Sequence, residues 1–368
     1  MITTKSSKMR VLQVIPALSG GGAERQLSYL APELARMGHD VHIAYSKDGP
    51  NLQRLAMSDV KLHRLRAKGN HDPAIFFQLI RLIRNIQPDI IQTWILQMDI
   101  LGGLAAQLTG TLWILREATS YNTTNANSAK NRIRTLLAAR ADAVISNSAG
   151  GDLYWEKRNF IKARYIIPNA VPMEEIVTVK QRTLSEYDIT HDQKVVLYAG
   201  RFVELKNIRN MIKAMLRITE NTKIVAFLCG EGPLLVETKQ VIEEANATNR
   251  IFLPGYVENI WGIMKRADVF VSVSHFEGRP NAVIEAMACG TPLVVSDIPE
   301  HREFLDEQSA ILVNRHDPIE IEKGIKACLA RPDATRRRAK MARDIINEWS
   351  IENIAKEYVQ MYENVLMG

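Results

Sequence analysis

Two successive series of short apolar runs and amphipathic segments alternate along the chain and restrict its fold more than any other feature. In the first series, runs such as 10–16, 41–45 and 89–94 predict buried strands, and the segments between them predict helices. A second series extends from residue 195 to residue 313. Because strands that alternate with helices at this spacing form parallel sheets, the sequence predicts an α/β protein with two Rossmann-like, doubly wound domains.

The predicted domain boundary lies in a stretch without clear periodicity. Residues 169–192 collect charge and show no helical or strand pattern, which favours an interdomain linker. We therefore expect an N-terminal domain over 1–175, a C-terminal domain over 176–350, and an amphipathic helix over 351–368. Pro32, inside the first predicted helix, predicts a bend or a break there.

Composition narrows the class of protein. The 368 residues are 46% hydrophobic and 24% charged, which is enough for two globular domains. Residues 1–9 are polar and basic, unlike a signal peptide, and polar residues interrupt the most apolar region, 90–115. Three cysteines without metal spacing favour a reducing cytoplasm. The net charge of +6 suits nucleic acid, phosphorylated substrates or anionic lipid. Because no zinc-finger, helix-turn-helix or RNP pattern is found, no nucleic acid partner is expected.

The segment EGRPNAVIEAMACGTPLVVSD, residues 277–297, places two carboxylates eight positions apart across a predicted loop-to-helix junction. The run 269–274 before it predicts a buried parallel strand, and 282–289 predicts a helix. The junction therefore lies at the carboxyl end of a strand, where open α/β sheets bind ligands. Glu277 falls on the loop and Glu285 about two turns along the helix, so both carboxylates can face one polar ligand. The alternative is an ordinary amphipathic helix after a solvated loop acid.

This spacing of Glu277 and Glu285 resembles the E-x7-E signature of the retaining, nucleotide-sugar-dependent glycosyltransferases of family four. The resemblance implies the GT-B fold, in which two Rossmann-like domains face an interdomain cleft and the terminal helix crosses back onto the first domain. It also implies catalysis on one face of the sugar, with the leaving phosphate helping to deprotonate the acceptor. We expect Glu277 to position the sugar and stabilise charge rather than to attack the anomeric carbon.

Residues 200–207, GRFVELKN, follow the first predicted strand of the second series and place two cations on one loop. A nucleotide diphosphate leaving group gains negative charge as its bond to the sugar breaks. Arg201 can bind its oxygens through two N–H groups and Lys206 adds a compact second charge, which stabilises the departing group. These residues match the diphosphate-binding pair of the family, and a solvated basic turn is the alternative. Because the cations replace a divalent metal in this role, no metal or other cofactor is expected.

Two further glycine loops follow predicted strands, at 227–233 and 253–257. Glycine lets the backbone approach a ligand closely, although a role in core packing alone is the alternative. The resemblance implies that backbone near Tyr256 and Val257 meets the base and that Glu285 binds the ribose diol. The helix start after Glu277 offers backbone amides to an anion. The expected donor-binding residues are Gly21, Gly22, Arg201, Lys206, Gly230, Tyr256, Val257, Glu277, Gly278, Arg279, Asn281, Ala282 and Glu285.

The N-terminal half carries two weaker signals. The turn GGGAE at 20–24 lacks the glycine that a dinucleotide fingerprint needs at Arg25, and it matches the GGAE turn of the same family or serves as a tight turn only. The loop LREAT at 115–119 lacks the histidine that many relatives carry there. We expect Arg116 or Glu117 to replace it as a phosphate contact or acid/base group, with a structural salt bridge as the alternative.

Two basic amphipathic helices in the first half bear on the acceptor. The segment 74–86 combines apolar side chains with Arg81 and Arg84, and the segment 130–140 carries four cations, Lys130, Arg132, Arg134 and Arg140. Such helices can lie in a membrane interface and attract anionic lipid, or they pack on the sheet. We expect a cytoplasmic protein, peripheral at the inner membrane face, with an anionic membrane surface as one partner.

The leading interpretation is a retaining glycosyltransferase that moves a hexose or N-acetylhexosamine from a nucleotide diphosphate, with UDP favoured. Its acceptor would be a lipid-linked glycan or a growing surface polysaccharide such as lipopolysaccharide or capsule. One alternative is a nucleotide-sugar epimerase on the same fold, which needs an acid and a base that reach the sugar from both domains. Another is a non-catalytic glycan- or lipid-binding module, although such a module has no physical reason to keep the charge set of Arg201, Lys206, Glu277 and Glu285.

Overall fold

The computed structural model describes residues 8–69, 72–118, 128–158, 160 and 162–368. The chain separates into two compact units. Unit 1 contains the chain up to Ala170 together with Trp349–Gly368, and unit 2 is Val171–Glu348. The sequence placed the boundary after residue 175, which falls inside the helix Met173–Thr178 of unit 2.

Unit 1 is built on a parallel sheet. Its strands among the described residues are β1 Arg10–Val14, β2 Asp40–Tyr45, β3 Lys61–Arg64, β4 Ile90–Trp94, β5 Leu112–Glu117, β6 Ala143–Ser146 and β7 Ala163–Ile166. Its helices there are α1 Gly22–Arg36, α2 Asn51–Ala56, α3 Ala74–Ile86, α4 Leu96–Thr109, α5 Ala129–Ala138, α6 Ala149–Glu156 and, from much later in the chain, α15 Ile351–Met367. The sheet order is β3-β2-β1-β4-β5-β6-β7, and every pairing is parallel.

Unit 2 repeats this plan on a smaller scale. Its strands are β8 Lys194–Ala199, β9 Ile224–Cys229, β10 Ile251–Gly255, β11 Val269–Ser272, β12 Leu293–Ser296 and β13 Ile311–Val313. Its helices are α7 Met173–Thr178, α8 Ile208–Ile218, α9 Leu235–Glu244, α10 Trp261–Arg266, α11 Asn281–Cys289, α12 Pro299–Arg302, α13 Pro318–Ala330 and α14 Pro332–Ile345. The parallel order β10-β9-β8-β11-β12-β13 confirms the predicted fold class of two doubly wound Rossmann-like domains.

Helices cover both faces of each sheet, which explains why the strands are apolar almost throughout. In unit 1, Val11 and Ile90 belong to a core that includes α1 and α15, whereas their neighbours Leu12 and Ile91 belong to a second core with α3 and α4. Successive side chains of a strand point to opposite faces, so one strand serves both cores. The carboxyl ends of all strands in a sheet meet at one edge.

Two expectations about helices concern Pro32 in α1 and the apolar stripe of α3. Of the bend or break expected at Pro32, the break does not occur, because α1 runs without interruption from Gly22 to Arg36. Burial of Leu27, Leu30 and Leu34 on its inner face outweighs the roughly 3 kcal/mol that an interior proline costs a helix. The apolar stripe of α3 mostly packs inward, since Ile75, Leu79, Ile83 and Ile86 are buried, and Phe77 is its largely exposed apolar residue. In the described part of the chain, no helix has both the length and the hydropathy required to cross a bilayer.

Candidate functional site

The two strongest sequence motifs of unit 2 lie on neighbouring strands. The strand order reverses between β8 and β11, which pair directly. The loop after β8 carries Arg201 and Lys206, and the loop after β11 carries Glu277. Open α/β sheets bind ligands at the carboxyl ends of strands, where the order reverses. The topology therefore places both motifs at the expected edge of this sheet.

Lys206 and Glu277 form an ion pair at this edge. A short 3-10 turn, Glu204–Lys206, presents the lysine, whose Nζ lies 2.5 Å from Glu277 Oε1. Ser274 Oγ donates to the same oxygen at 2.6 Å. Burial alone would raise the pKa of Glu277, but the Lys206 ammonium and these two hydrogen bonds outweigh it and hold that pKa below its ordinary value. Glu277 is therefore ionised at neutral pH.

The second oxygen of Glu277 makes no hydrogen bond with a described residue. Both donors are on Oε1, so Oε2 can accept a hydrogen bond from a ligand. Likewise, an ammonium group has three donors, and the ion pair with Glu277 uses one of them. The two side chains thus bind each other and can still contact a substrate, Glu277 as an acceptor through Oε2 and Lys206 as a donor through its ammonium group.

Arg201 is exposed, and its guanidinium forms no hydrogen bond or ion pair with any residue that the structure describes. Its carbonyl oxygen accepts a hydrogen bond from the buried Tyr198 hydroxyl at 2.9 Å. Burial raises the pKa of Tyr198, and the negative charge of Glu277 adds to that shift while Arg201 opposes it. Both charges therefore act on the hydroxyl of Tyr198, which lies near the end of β8.

Gly230 has a structural reason to be glycine. It adopts φ +136°, and a β-carbon there would collide with the carbonyl oxygen of Gly200. Its amide donates to the Gly255 carbonyl at 2.7 Å, which joins the ends of β9 and β10. This packing accounts for the glycine whether or not a nucleoside binds there. Beyond Gly255, Tyr256 is 55% exposed and Val257 is half-buried, and their contact with a base stays a prediction.

Helix α11 begins at Asn281 without a side-chain cap. Pro280 precedes the helix without a side-chain cap, and Asn281 and Ala282 form its first, half-buried positions after the half-buried Gly278. The first amides of a helix have no partner within it. The Arg279 side chain is directed elsewhere, because it pairs with Glu303 at 3.4 Å. The contact expected of Arg279 with an anion is through its backbone amide, and it stays a prediction.

Glu285 is 3% exposed and lies on α11 as expected, but it has a partner that the sequence did not suggest. The indole Nε1 of Trp261, on α10, donates to its Oε2 at 2.9 Å. This bond orients the carboxylate and occupies one of its oxygens. The role of Glu285 in ribose binding stays a prediction.

In unit 1, the carboxylate of Glu24 lies against the glycine turn at 20–24. Gly21 caps α1 in extended conformation, and a β-carbon there would collide with the Glu24 carboxylate. Ser19 Oγ donates to Glu24 Oε1 at 2.7 Å. Because the Glu24 carboxylate ends a flexible side chain that can move aside, this contact alone does not require glycine at 21, and Gly22 begins the helix. A ligand contact at either glycine stays a prediction.

Arg116 is buried within unit 1. Its Nε donates to the Tyr358 hydroxyl at 2.7 Å, its NH2 donates to Asn169 Oδ1 at 3.0 Å, and its guanidinium lies 4.3 Å from the centre of the Trp94 ring. These contacts tie the end of β5 to α15. They give Arg116 a structural function, and its catalytic role stays untested.

Glu117 takes part in a buried ion-pair triad. Arg134 NH1 donates to Glu117 Oε2 at 2.6 Å, and its Nε donates to Asp99 Oδ2 at 2.7 Å. Thr93 Oγ1 donates to the other oxygen of Asp99 at 2.7 Å. The geometry matches the structural salt bridge that the sequence left open for Glu117. Arg134, expected on a basic outer face of α5, is instead buried.

Comparisons with known proteins agree with this architecture. The family model described as Glycosyltransferase Family 4 matches residues 20–175, and the model described as Glycosyl transferases group 1 matches residues 179–345. The chain is 29% identical over 335 residues to N-acetylgalactosamine-N,N'-diacetylbacillosaminyl-diphospho-undecaprenol 4-alpha-N-acetylgalactosaminyltransferase of Campylobacter jejuni, covering 86% of this chain and 88% of that protein. It is 28% identical over 245 residues to UDP-Gal:alpha-D-GlcNAc-diphosphoundecaprenol alpha-1,3-galactosyltransferase of Escherichia coli, covering 62% of each.

Solved structures share the fold over nearly the full chain. HepE of Anabaena, solved in complex with UDP and glucose, superposes with a TM-score of 0.86 at 18% identity, covering 97% of this chain and all of that one. Sucrose-phosphate synthase of Thermosynechococcus elongatus superposes with a TM-score of 0.83 at 20% identity, covering 98% and 100%. With one family model on each unit, the chain belongs to the glycosyltransferases that join a Family 4 domain to a group 1 domain in the GT-B fold.

Proposed function

We propose that this glycosyltransferase moves a hexose or N-acetylhexosamine from a UDP-sugar to a lipid-linked glycan or polysaccharide, with retention at the anomeric carbon. The observation that carries the proposal is the ion pair of half-buried Lys206 with buried Glu277, with the exposed Arg201 on the same loop as Lys206, at the edge where the sheet of unit 2 changes direction. The names of two relatives, which transfer N-acetylgalactosamine and galactose to diphospho-undecaprenol glycans, support the acceptor class. The UDP complexes of HepE support the nucleotide.

The charges of the site suit a departing diphosphate. Lys206 and Arg201 donate to phosphate oxygens, where negative charge grows as the glycosidic bond breaks. Glu277 is ionised, and its Oε1 accepts hydrogen bonds from Lys206 and Ser274. It therefore accepts a hydrogen bond from a sugar hydroxyl through Oε2 and does not supply a proton. The acceptor hydroxyl gives its proton to the leaving phosphate on the same sugar face. Because Lys206 and Arg201 neutralise the diphosphate in this mechanism, it needs no metal ion there.

Unit 1 supplies the contact with a membrane in this proposal. Helices α3, α4 and α5 pack side by side and expose Phe77, Leu108 and Leu136, which are 67%, 65% and 76% accessible. Helix α3 of this helical layer also carries the exposed cations Arg81 and Arg84. Apolar side chains flanked by cations bind the interface of an anionic bilayer. A lipid-linked acceptor would then reach the enzyme at the inner membrane face.

Liposome sedimentation tests this membrane contact. The protein should sediment with anionic vesicles at low salt and remain in solution with zwitterionic ones. Phe77→Ser with Leu136→Ser should abolish binding, whereas Val236→Ser, at a residue 69% exposed on unit 2, should not change it. Equal sedimentation with both vesicle types, or with the double variant, would remove the proposal.

Donor use is tested by incubating the protein with a panel of UDP-sugars and a lipid-linked glycan acceptor. Release of UDP with appearance of an α-linked product from an α-linked donor supports the proposal. An epimerase would return the nucleotide-sugar intact, and a binding module would give neither product. Thermal shifts against the same panel identify the donor, because a bound ligand stabilises the folded protein by mass action.

A further inference from the structure

A short helix beside the Lys206–Glu277 pair carries two buried polar groups that the mechanism above does not use. Helix α12 begins three residues after β12, whose neighbour in the sheet is β11. Ser296 Oγ, at the end of β12, donates to the Ser274 carbonyl after β11 at 2.9 Å. This bond fixes α12 to the loop that carries Glu277. Glu300 and His301, both on α12, are 2% and 0% exposed.

The Glu300 carboxylate has no partner among the described residues, neither a hydrogen bond nor an ion pair, and its Oε2 is fully buried. A buried charge without a partner is strongly unfavourable, so native proteins almost always satisfy such a group. Other acidic side chains of this segment are satisfied, since Asp297 and Glu307 both pair with Arg302. The unsatisfied acceptor oxygen of Glu300 therefore points to a hydrogen-bond donor that a ligand supplies.

His301 offers a second acceptor on the same helix. Its Nδ1 faces the Ser296 carbonyl oxygen at 2.8 Å, and because a carbonyl only accepts, Nδ1 must carry the proton. Burial lowers the pKa of His301, although Glu277 opposes the shift, so the ring is neutral at pH 7. The buried Nε2 is then a free lone pair without a hydrogen-bond partner in the described structure.

Hydrogen bonds connect His301 to the reaction site. Its Nδ1 faces the Ser296 carbonyl oxygen, Ser296 Oγ donates to the Ser274 carbonyl, and Ser274 Oγ donates to Glu277. Glu277 raises and Lys206 lowers the pKa of His301, so both members of the ion pair act on this ring. Two unsatisfied acceptors on one helix suit an uncharged ligand with several donors. They do not suit an anion, and the described residues include no group of His, Cys, Asp and Glu able to hold a metal ion. Sugar hydroxyls, or the N–H of an acetamido group, have the required chemistry.

We infer that Glu300 and His301 bind the glycosyl unit of the donor through its hydroxyl or acetamido N–H groups and so determine which sugar is transferred. The inference rests on the proposed function, because it assumes a nucleotide-sugar donor at Glu277. It adds two specificity residues outside the E-x7-E motif. An acceptor pair of this kind rejects a sugar that lacks a matching donor, since the buried carboxylate would then stay unpaired.

Calorimetry with UDP alone and with UDP-glucose, UDP-galactose and their N-acetylamino counterparts tests the inference without any acceptor. In Glu300→Gln, affinity for the best UDP-sugar should fall about 10- to 100-fold, the loss of one charged hydrogen bond, while affinity for UDP is unchanged. His301→Phe should act in the same direction. The control is Glu307→Gln, which removes an exposed carboxylate a few residues away and should change neither affinity.

The Tm of the ligand-free protein gives a second test. Replacing a carboxylate with a purely structural role would lower the Tm, whereas replacing a ligand-binding one would not. Because Glu300 is unpaired without ligand, Glu300→Gln and Glu300→Ala should leave the Tm of the ligand-free protein equal or higher. A fall of Tm in both variants, or an unchanged ratio of UDP-sugar to UDP affinity in Glu300→Gln, would overturn the inference alone. A wild-type protein that binds neither UDP nor any UDP-sugar would overturn the proposed donor and this inference with it.

Discussion

Lys206→Met should destabilise unit 2 because it leaves the buried Glu277 carboxylate with Ser274 as its remaining hydrogen-bond donor. Breaking a buried ion pair by removing one partner costs roughly 3–5 kcal/mol. The Lys206 side chain keeps 20% exposure and that of Glu277 keeps 7%, so the low end applies, about 3 kcal/mol. For a unit of this size, that corresponds to a Tm lower by about 6–12 °C.

The pH dependence of this loss follows from the pKa of Glu277. In the wild-type protein that pKa lies below its ordinary value, so the stability gained from ionised Glu277 is complete at neutral pH and is lost only as the pH falls through the lowered pKa. Without Lys206, burial raises the pKa of Glu277 instead. A carboxyl whose pKa is higher in the folded state stabilises that state on protonation. The deficit of Lys206→Met should therefore shrink as the pH falls from about 7 to about 5.

Differential scanning calorimetry follows the transition of unit 2 in four proteins: wild type, Lys206→Met, Glu277→Gln and the double variant. The double variant removes the unpaired charge and should recover most of the lost Tm, which makes the two substitutions strongly non-additive. Lys239→Met, which breaks an exposed pair with Glu243 on α9, should shift the Tm by no more than about 2 °C. A Lys206→Met Tm within that margin, or a double variant as unstable as the sum of its parts, would refute the reasoning.

Four further outcomes are expected. Arg201→Ala should lower turnover about a hundredfold with the Tm unchanged, because its exposed guanidinium contributes to the developing charge and not to packing; steady-state kinetics and calorimetry check both parts. Glu285→Ala should weaken binding of UDP alone, measured by titration calorimetry, and unaltered affinity would contradict a ribose contact. Burial raises the pKa of Asp99 to about 6 against the opposing charge of Arg134, so stability of unit 1 is present at low pH and is lost as the pH rises through about 6; Asp99→Asn should flatten the Tm profile over that range. EDTA should leave activity largely intact, whereas recovery only on adding Mg²⁺ or Mn²⁺ would contradict a diphosphate held by side-chain cations.

Elements with long apolar runs were predictable from the sequence, and those without them were not. The predicted strand at Ile224–Cys229 has the observed bounds because all six of its residues are buried. By contrast, β3 is a half-exposed edge strand with the sequence KLHR, which gives no alternation. Helix α13 was missed although Asp317 caps it and proline opens it, a start signal that the charged surrounding segment obscured.

The candidate site was predictable as motifs but not as contacts. The sequence placed Lys206 and Glu277 on separate loops after strands, and that is correct. Their pairing depends on β11 inserting next to β8, which is a property of sheet order and not of local pattern. Burial of Arg134 depends in the same way on the two carboxylates that α4 and β5 bring to it. Helical spacing alone could not distinguish it from its solvated neighbours.

Because α15 packs in unit 1, it determines the order in which the two units can complete folding during translation. Tyr358 and Tyr362 are buried in unit 1, and their hydroxyls bond to Arg116 on β5, Gln13 on β1 and Gln92 on β4. Residues 349–368 leave the ribosome only after all of unit 2 has been made. The first half of the chain therefore waits, with part of its apolar interior uncovered, while the second half completes its own core. During translation, unit 2 is the part that can reach its native state first.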